Sequence, residues 1–205
     1  MMQSMGNSNP ETLNWLFENG KINLERGSLF EQSASPKTAG FDFDNVEGML
    51  LGIAIGDSLG ITTEGLTPEY RRDRYGEIRD YIPNRYVNEA RGFPSDDTQL
   101  SFWTLEQLIQ DRGFVPEHLA DRFASGDRIF GIGSTVRGFL ANFKSGKPWY
   151  ESGPHSAGNG ALMRIAPMLL PHLRTGGTNI WADTALSAMM THNDRASTSA
   201  CLAFV

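Results

Sequence analysis

Residues 92–109 read GFPSDDTQLSFWTLEQLI. A polar segment typical of a helix start is followed here by the pattern of an amphipathic helix, which indicates a helical fold class. Apolar residues recur with helical spacing after the polar start, and Gly113 follows the last turn. These apolar residues are Leu100, Trp103, Leu105, Leu108 and Ile109. Ser95 is suited to cap the helix, and the macrodipole favours the acids Asp96 and Asp97 in its first turn. The stretch therefore predicts a helix that packs through a broad apolar face.

Helical spacing continues through the chain from Phe41 onward. No segment shows sustained alternation of apolar and polar residues between turn signals, which is the pattern of a half-buried strand. We therefore predict an all-α fold. The other predicted helical segments are residues 41–60, 115–125, 131–146, 158–173, 179–194 and 195–205, with a loop and a short helix at 67–83.

The first of these segments, FDFDNVEGMLLGIAIGDSLG, has glycine at every fourth position. Residues four apart lie on nearly the same face of a helix, and each glycine costs about 1 kcal/mol relative to alanine in a helix interior. The row predicts a face that another helix or a ligand approaches closely. Its members are Gly48, Gly52, Gly56 and Gly60.

Composition excludes several classes of function. The net charge is −6 and no cluster of Lys and Arg is present, which argues against nucleic-acid binding. The longest apolar run, MLLGIAIG, is too short to span a bilayer. The single cysteine, Cys201, cannot form an internal disulfide, and residues 1–15 do not resemble a secretory signal. We expect a cytoplasmic protein that binds neither nucleic acid nor membrane.

The N-terminal residues 1–44 differ from the rest, and we expect two parts, this extension and a domain at residues 45–205. The extension is rich in polar residues, and EQSASPKTAG at 31–40 is typical of a flexible linker. One interpretation is a disordered tail. The other is a partner-binding arm anchored by exposed Trp15 and Phe17.

Three adjacent oxygen-bearing side chains, Ser95, Asp96 and Asp97, have two interpretations. Capping explains one acid well and two adequately. A hydroxyl with two carboxylates is also a hard-oxygen ligand set that suits Mg²⁺, Ca²⁺ or Mn²⁺, and a cation would remove the repulsion between the acids. Glu64 lies in a loop after the glycine-rich helix, where an isolated carboxylate is more often a solvated surface group.

Two glycine-rich turns, at residues 131–138 and 155–164, each precede a predicted helix. Glycine permits close approach of the backbone to an anion, and a helix start supplies N–H groups. Together they predict a ligand with more than one anionic group. His192 follows a predicted helix, where a lone histidine is more often structural or at the surface.

These motifs in order, GMLLGIAIGDSLGITTEG, SDDTQL, GIGSTVRG, SAGNGALMRIAP and THND, resemble the ADP-ribosylglycohydrolase family over residues 45–205. The resemblance implies a compact orthogonal all-α domain with two Mg²⁺ ions, or Mn²⁺, at the base of a cleft. Such enzymes release ADP-ribose from modified protein side chains, commonly arginine, by metal-assisted hydrolysis of a glycosidic bond.

By position, the resemblance implies that Ser95, Asp96 and Asp97 are metal ligands. Asp97 would be the general base, with Asp96 as the alternative, and Glu64 a carboxylate at the cleft. The diphosphate–ribose site would be lined by Ser156, Gly158, Asn159, Gly160 and Ala161, with His192 on the adenosine side.

The family also has a C-terminal Asp-x-Asp-Ser/Thr motif that completes the metal site, and this sequence has none after Gly160. We therefore expect a fragment or one chain of a split protein, without full hydrolase activity alone. Two other functions stay open. One is an immunity protein whose residues 1–44 block an ADP-ribosylating toxin, with or without hydrolysis. The other is a catalytically inactive structural relative.

Overall fold

The computed structural model describes residues 6–37 and 40–205, and within these ranges it is helical without a β-strand. The predicted all-α class is confirmed. The helices are α1 (Asn9–Glu18), α2 (Phe43–Gly60), α3 (Pro68–Tyr75), α4 (Asp96–Asp111), α5 (Pro116–Ser125), α6 (Ser134–Lys144), α7 (Trp149–Ser152), α8 (Asn179–Thr191) and α9 (Arg195–Phe204). No helix in the described ranges is long and apolar enough to cross a membrane.

One predicted helix is wrong. Residues 158–173 form two 3₁₀ helices instead, Leu162–Arg164 and Ala166–Leu169. The reason is Pro167, which lacks an N–H group and sterically opposes the preceding helical turn. The sequence contained this signal, followed by a second proline at 171.

The chain divides into two compact units. The first contains the described residues of Met1–Phe41 together with Leu100–Asp127 and Gly133–Val205. The second contains Asp42–Gln99 and Arg128–Ile132. The boundary that we expect at residue 44 stays a prediction.

Helix α8 forms the centre of the first unit. Nearly every residue from Ile180 to Thr191 is buried, and the helix packs against α1 and α9. A helix that is buried on all sides needs small side chains where its neighbours approach, and α8 supplies them in the sequence ADTALSA. Polar groups in this position must find partners within the protein.

The N-terminal segment is part of this unit, and the interpretation as a disordered tail is wrong for residues 6–37. Leu13 and Leu16 of α1 are buried. Asn9 donates from Nδ2 to Asp183 Oδ1 of α8 at 2.6 Å. The rings of Trp15 and Phe17 pack against aromatic rings of their own chain and are only partly exposed.

The predicted flexible linker at 31–40 is also attached where it is described. Ala34 and Gly177 exchange backbone hydrogen bonds of 3.0 and 2.9 Å, and Lys37 N donates to Leu173 O at 2.7 Å. Residues 38 and 39 of this segment lie outside the described ranges.

In the second unit, α2 buries only Val46 and Ser58. A Cβ built at any of the four glycines of the row would meet no atom of the described residues within 4 Å. The predicted close approach is therefore not observed. On the same helix Leu51 and Ile55 are 53% and 47% exposed, so α2 presents an open apolar face.

Candidate functional site

The start of α4 is held by Asp57, which lies in the last turn of α2. The Asp57 carboxylate accepts hydrogen bonds from Ser95 N (2.7 Å) and Ser95 Oγ (2.5 Å). It also accepts from Thr98 N (3.2 Å) and Thr98 Oγ1 (2.6 Å). The acceptor that caps the first turn is thus Asp57 rather than the Ser95 side chain, because Ser95 Oγ acts here as a donor.

Asp57 has no assigned role in the sequence-based prediction. A physical signal was nevertheless present, because a negative charge in the last turn of a helix is opposed by the macrodipole. Such a residue needs compensating partners, and the N–H and O–H groups at the start of α4 supply them.

The hydroxyl of Ser95 is oriented by this contact. Because its proton is directed to Asp57, the lone pairs of Ser95 Oγ remain for another donor or a cation. Asp96 beside it is 7% exposed. The structure therefore places a partly desolvated oxygen cluster where the sequence predicts metal ligands.

The electrostatics of this cluster favour positive charge. Burial is the largest cause that raises the pKa of Asp97 to about 6. The charges of neighbouring carboxylates raise it further, and these belong to Asp57, Asp96 and Glu64. Repulsion among acids is relieved either by a proton or by a cation.

Glu64 lies in the turn after α2, and its side chain is 59% exposed. Its Oε2 is 3.6 Å from Nη2 of Arg85, and an ion pair with this exposure is worth about 0–1 kcal/mol. Both residues line a cavity of about 230 Å³ together with Asn84. Its volume fits a small group better than a whole nucleotide, since ligand pockets usually exceed ~300 Å³.

A divalent cation fits these residues by charge and donor type. Ser95, Asp96 and Asp97 offer oxygen ligands, and burial, followed by the charges of nearby carboxylates, raises the pKa of Asp97. Within residues 6–37 and 40–205, however, no three His, Cys, Asp or Glu side chains are already grouped to hold a metal. The coordination shell of the cation would therefore need hydroxyl, backbone or water oxygens as well.

Gly131 contacts this cluster through its backbone. Its φ is +77°, and a Cβ at this position would lie 2.9 Å from Asp96 Oδ1 and 3.1 Å from Ser95 Cβ. Its N–H donates to Tyr86 Oη at 2.9 Å. The Tyr86 ring packs in turn against Phe93 and Phe130, which fixes the segment beside the acids.

We expect Gly131→Ala to lower the free energy of unfolding by about 2 kcal/mol, because a side chain is strained at positive φ and displaces the Asp96 carboxylate. Urea denaturation of the metal-free chain measures this change. Gly133→Ala is the matched control, since Gly133 has φ −69° and no atom lies within 4 Å of its Cβ position. Equal stability of the two variants would contradict the close approach at Gly131.

The second predicted group lies in the first unit, around the loop from Ser156 to Ala161. Thr135 Oγ1 of α6 donates to Ser156 Oγ at 2.9 Å, and Gly158 N donates to the same atom at 3.3 Å. Ser197 Oγ donates to Gly158 O at 3.2 Å, and Asn159 O accepts from Met163 N at 3.0 Å.

His192 is brought to this loop. A Cβ at Gly160 would lie 2.9 Å from His192 Nε2, and one at Gly158 would lie 3.6 Å from it. Gly160 is therefore needed for the approach of the ring, whereas a Cβ at Gly158 would make only an ordinary van der Waals contact with it. His192 is buried, and burial followed by the charge of Arg164 lowers its pKa to about 4.

The two glycine-rich turns differ in how well they present backbone N–H groups. α6 begins after Gly133 without a side-chain cap and without an acid in its first turn, which suits an anion. The turn at Gly158–Gly160 precedes only a three-residue 3₁₀ helix, so the predicted α-helix start is wrong there. Thr135 joins the α6 start to the loop, so the two glycine-rich turns lie side by side within this unit.

The predicted site residues thus fall into two groups. Ser95, Asp96, Asp97 and Glu64 belong to the second unit, and the loop residues and His192 belong to the first. Each group is assembled within its own unit. The roles that we assign to these residues stay predictions.

A family model described as ADP-ribosylglycohydrolase matches residues 39–205. The chain is 30% identical to the ADP-ribosylarginine hydrolase Tri1 of Serratia proteamaculans, over 77% of this chain and 44% of that protein. It is 29% identical to the ADP-ribosyl-[dinitrogen reductase] glycohydrolase of Rhodospirillum rubrum, over 78% of this chain and 55% of that protein.

A solved structure titled ADP-ribosylglycohydrolase-related protein complex matches with a TM-score of 0.62 and 31% identity. The match covers 75% of this chain and 51% of that one. The chain spans about half the length of the curated relatives that it matches.

Proposed function

Because the chain belongs to the ADP-ribosylglycohydrolase family, we propose that it acts in hydrolysis of the bond between ADP-ribose and a modified arginine side chain of a protein. The observation that carries this proposal is the oxygen cluster at the start of α4. There Asp57 orients Ser95, and the pKa of Asp97 is raised to about 6. Arginine as the modified residue is supported by the relative named ADP-ribosylarginine hydrolase.

Asp97 suits the role of general base. Asp97 is only partly buried, whereas Asp96 is 7% exposed, so Asp97 is better placed to meet a water molecule. Asp96 remains the alternative.

A divalent cation, Mg²⁺ or Mn²⁺, would be held by Ser95, Asp96 and Asp97. When bound, it would polarise a water molecule or a ribose oxygen. The Ser95 hydroxyl can contribute a lone pair because Asp57 accepts its proton. Asp96 and Asp97 contribute negative charge from the first turn of α4. Glu64, in the loop after α2, would interact with the substrate at the cleft.

Recognition of the diphosphate and ribose is assigned to the loop of Ser156–Ala161. The uncapped start of α6 offers N–H groups, and Thr135 ties it to Ser156. Gly160 lets the His192 ring approach this loop closely. His192 would contact the same ligand from beside this loop.

The immunity function is a second proposal for the N-terminal residues. Burial of Leu13 and Leu16 in the chain itself weighs against a freely extended arm that blocks a toxin. We also propose a cytoplasmic location, which the single cysteine supports because no internal disulfide can form.

The test is release of ADP-ribose from an arginine-ADP-ribosylated protein by the 205-residue chain, with Mg²⁺, with Mn²⁺ and with EDTA. Binding of free ADP-ribose is measured in parallel by calorimetry. Asp97→Ala is expected to abolish release, and Asp73→Ala, which removes an exposed acid of α3, is the matched control. Toxin binding by the unaltered chain is measured separately and tests the arm.

The proposal requires either metal-dependent release or binding of ADP-ribose by the chain. If both are absent, the proposal is wrong. Release that persists in EDTA and in Asp97→Ala would show that the oxygen cluster is not the reactive site.

A further inference from the structure

Arg164 is a fully buried arginine whose partners are all neutral. Its Nη1 donates to Ser187 Oγ at 2.9 Å, and Nη2 donates to Ser187 O at 2.7 Å and to Thr191 Oγ1 at 2.8 Å. None of the ion pairs within 4.0 Å among the described residues includes Arg164, and its guanidinium lies over the Phe123 ring at 5.1 Å from the ring centroid. Burial lowers its pKa to about 10, so Arg164 is still charged at neutral pH.

A buried charge without a counter-ion is expensive, so its retention calls for a reason. Arg164 is linked to His192, one of the predicted ligand-binding residues, through the side chain of Thr191. Thr191 Oγ1, which accepts from Arg164, is also 3.0 Å from His192 Nδ1. A continuous chain therefore runs from the guanidinium through the hydroxyl to the imidazole.

The available acceptors determine which atom donates in the hydrogen bond between Thr191 and His192. Thr191 is fully buried, and its hydroxyl proton has no acceptor among the described residues other than His192 Nδ1. If Nδ1 carried a hydrogen instead, this hydroxyl proton would be left unpaired in the interior. Donation from a charged guanidinium also polarises the hydroxyl and makes it a better donor.

When Nδ1 is an acceptor, the hydrogen of the neutral ring is on Nε2. The Nε2–Cε1 edge of the ring faces the glycine turn, with Nε2 2.9 Å and Cε1 2.7 Å from a Cβ position at Gly160. The lowered pKa of His192 keeps the ring neutral near pH 7, in agreement with one N–H and one acceptor.

We propose that Arg164 is a positioning residue that acts through Thr191 to hold His192 with its hydrogen on Nε2, directed at an acceptor oxygen of a ligand at the Gly158–Gly160 turn. The ligand part rests on the proposed function, in which the oxygen belongs to a phosphate or ribose of ADP-ribose. Arg164 itself does not contact the ligand. Its role is to decide which ring nitrogen is the donor.

The first measurement is the tautomer of His192 in the full chain without ligand. Histidine is labelled with ¹⁵N, and nitrogen shifts, which differ widely between protonated and unprotonated ring nitrogens, are read from long-range proton–nitrogen spectra. His192→Gln identifies the His192 signals among the four histidines. We expect hydrogen on Nε2, and hydrogen on Nδ1 in the wild type would overturn the proposal.

Two variants of Thr191 test the proposal without changing the buried Arg164, whose substitution could unfold the protein. Thr191→Ser keeps the hydroxyl and is expected to keep the tautomer. Thr191→Val keeps the shape without the hydroxyl, and its His192 should show hydrogen on Nδ1 or a mixture of tautomers. Arg164→Lys, which keeps the charge but has fewer directed donors, should fall between them.

The second measurement is affinity for ADP-ribose by calorimetry. Loss of a ligand hydrogen bond predicts about tenfold weaker binding by Thr191→Val and little change in Thr191→Ser. A Thr191→Val protein with the wild-type tautomer and affinity would overturn the proposal. If the wild type does not bind ADP-ribose, the proposed ligand fails, and the nitrogen spectra still decide the Arg164–Thr191–His192 chain.

Discussion

The Asp57→Ala variant is expected to lose about 3–5 kcal/mol of unfolding free energy, far more than an ordinary surface substitution. Its carboxylate accepts four hydrogen bonds that join the end of α2 to the start of α4. Removing it leaves the hydroxyls of Ser95 and Thr98 without that acceptor, and both residues are buried. Loss of a helix cap alone costs about 1 kcal/mol, so the additional loss comes from these unpaired groups.

Urea denaturation followed by circular dichroism measures the effect. Glu47→Ala is the matched control, because Glu47 is an exposed acid of the same helix. Asp57→Asn should be intermediate, since a carboxamide has one acceptor oxygen and cannot replace both carboxylate oxygens. If Asp57→Ala is as stable as the Glu47→Ala control, the capping role is wrong.

The second large effect has the opposite sign. Asp97→Asn is expected to stabilise the metal-free chain at pH 7.5 by about 1–2 kcal/mol, a value reduced from the full pKa shift because the group is partly exposed. The folded-state pKa of Asp97 is about 6 against an ordinary 3.8. Its contribution to stability is therefore fully present below pH 3.8 and is lost as the pH rises through about 6.

The measurement compares urea unfolding of wild type and Asp97→Asn in EDTA at pH 7.5 and at acidic pH. The difference should be large at the higher pH and should vanish where wild-type Asp97 is protonated. Millimolar Mg²⁺ should stabilise the wild type and leave Asp97→Asn unchanged. Asp73→Asn controls for the removal of a charge, and a pH-independent gain in Asp97→Asn would refute the electrostatic cause.

Helix α4 was predictable because all the information for it is local. Its apolar spacing, its acidic first turn and Gly113 lie within a short stretch, and α4 begins at the expected Asp96. The 3₁₀ region at 162–169 was also open to prediction, since the effect of Pro167 on a helix is local.

Features that depend on distant partners could not be predicted in the same way. Asp57 meets Ser95 across 38 positions of sequence, and no local pattern indicates that pairing. The glycine row of α2 shows the same limit, because spacing reveals the cost of glycine in a helix but not which neighbour, if any, lies beside it; no described residue does so here. The position of His192 at the Gly158–Gly160 turn likewise required the fold.

The contact between α1 and α8 has a consequence for biosynthesis. Asn9 and Asp183 are 174 positions apart, so α1 is made long before the helix that buries it. At ~5–20 residues per second, translation of the intervening chain takes roughly 10–35 seconds. During that interval Leu13 and Leu16 have no α8 to cover them, and we expect both side chains to be exposed. Helix α1 thus reaches its native position only after α8 has been synthesised.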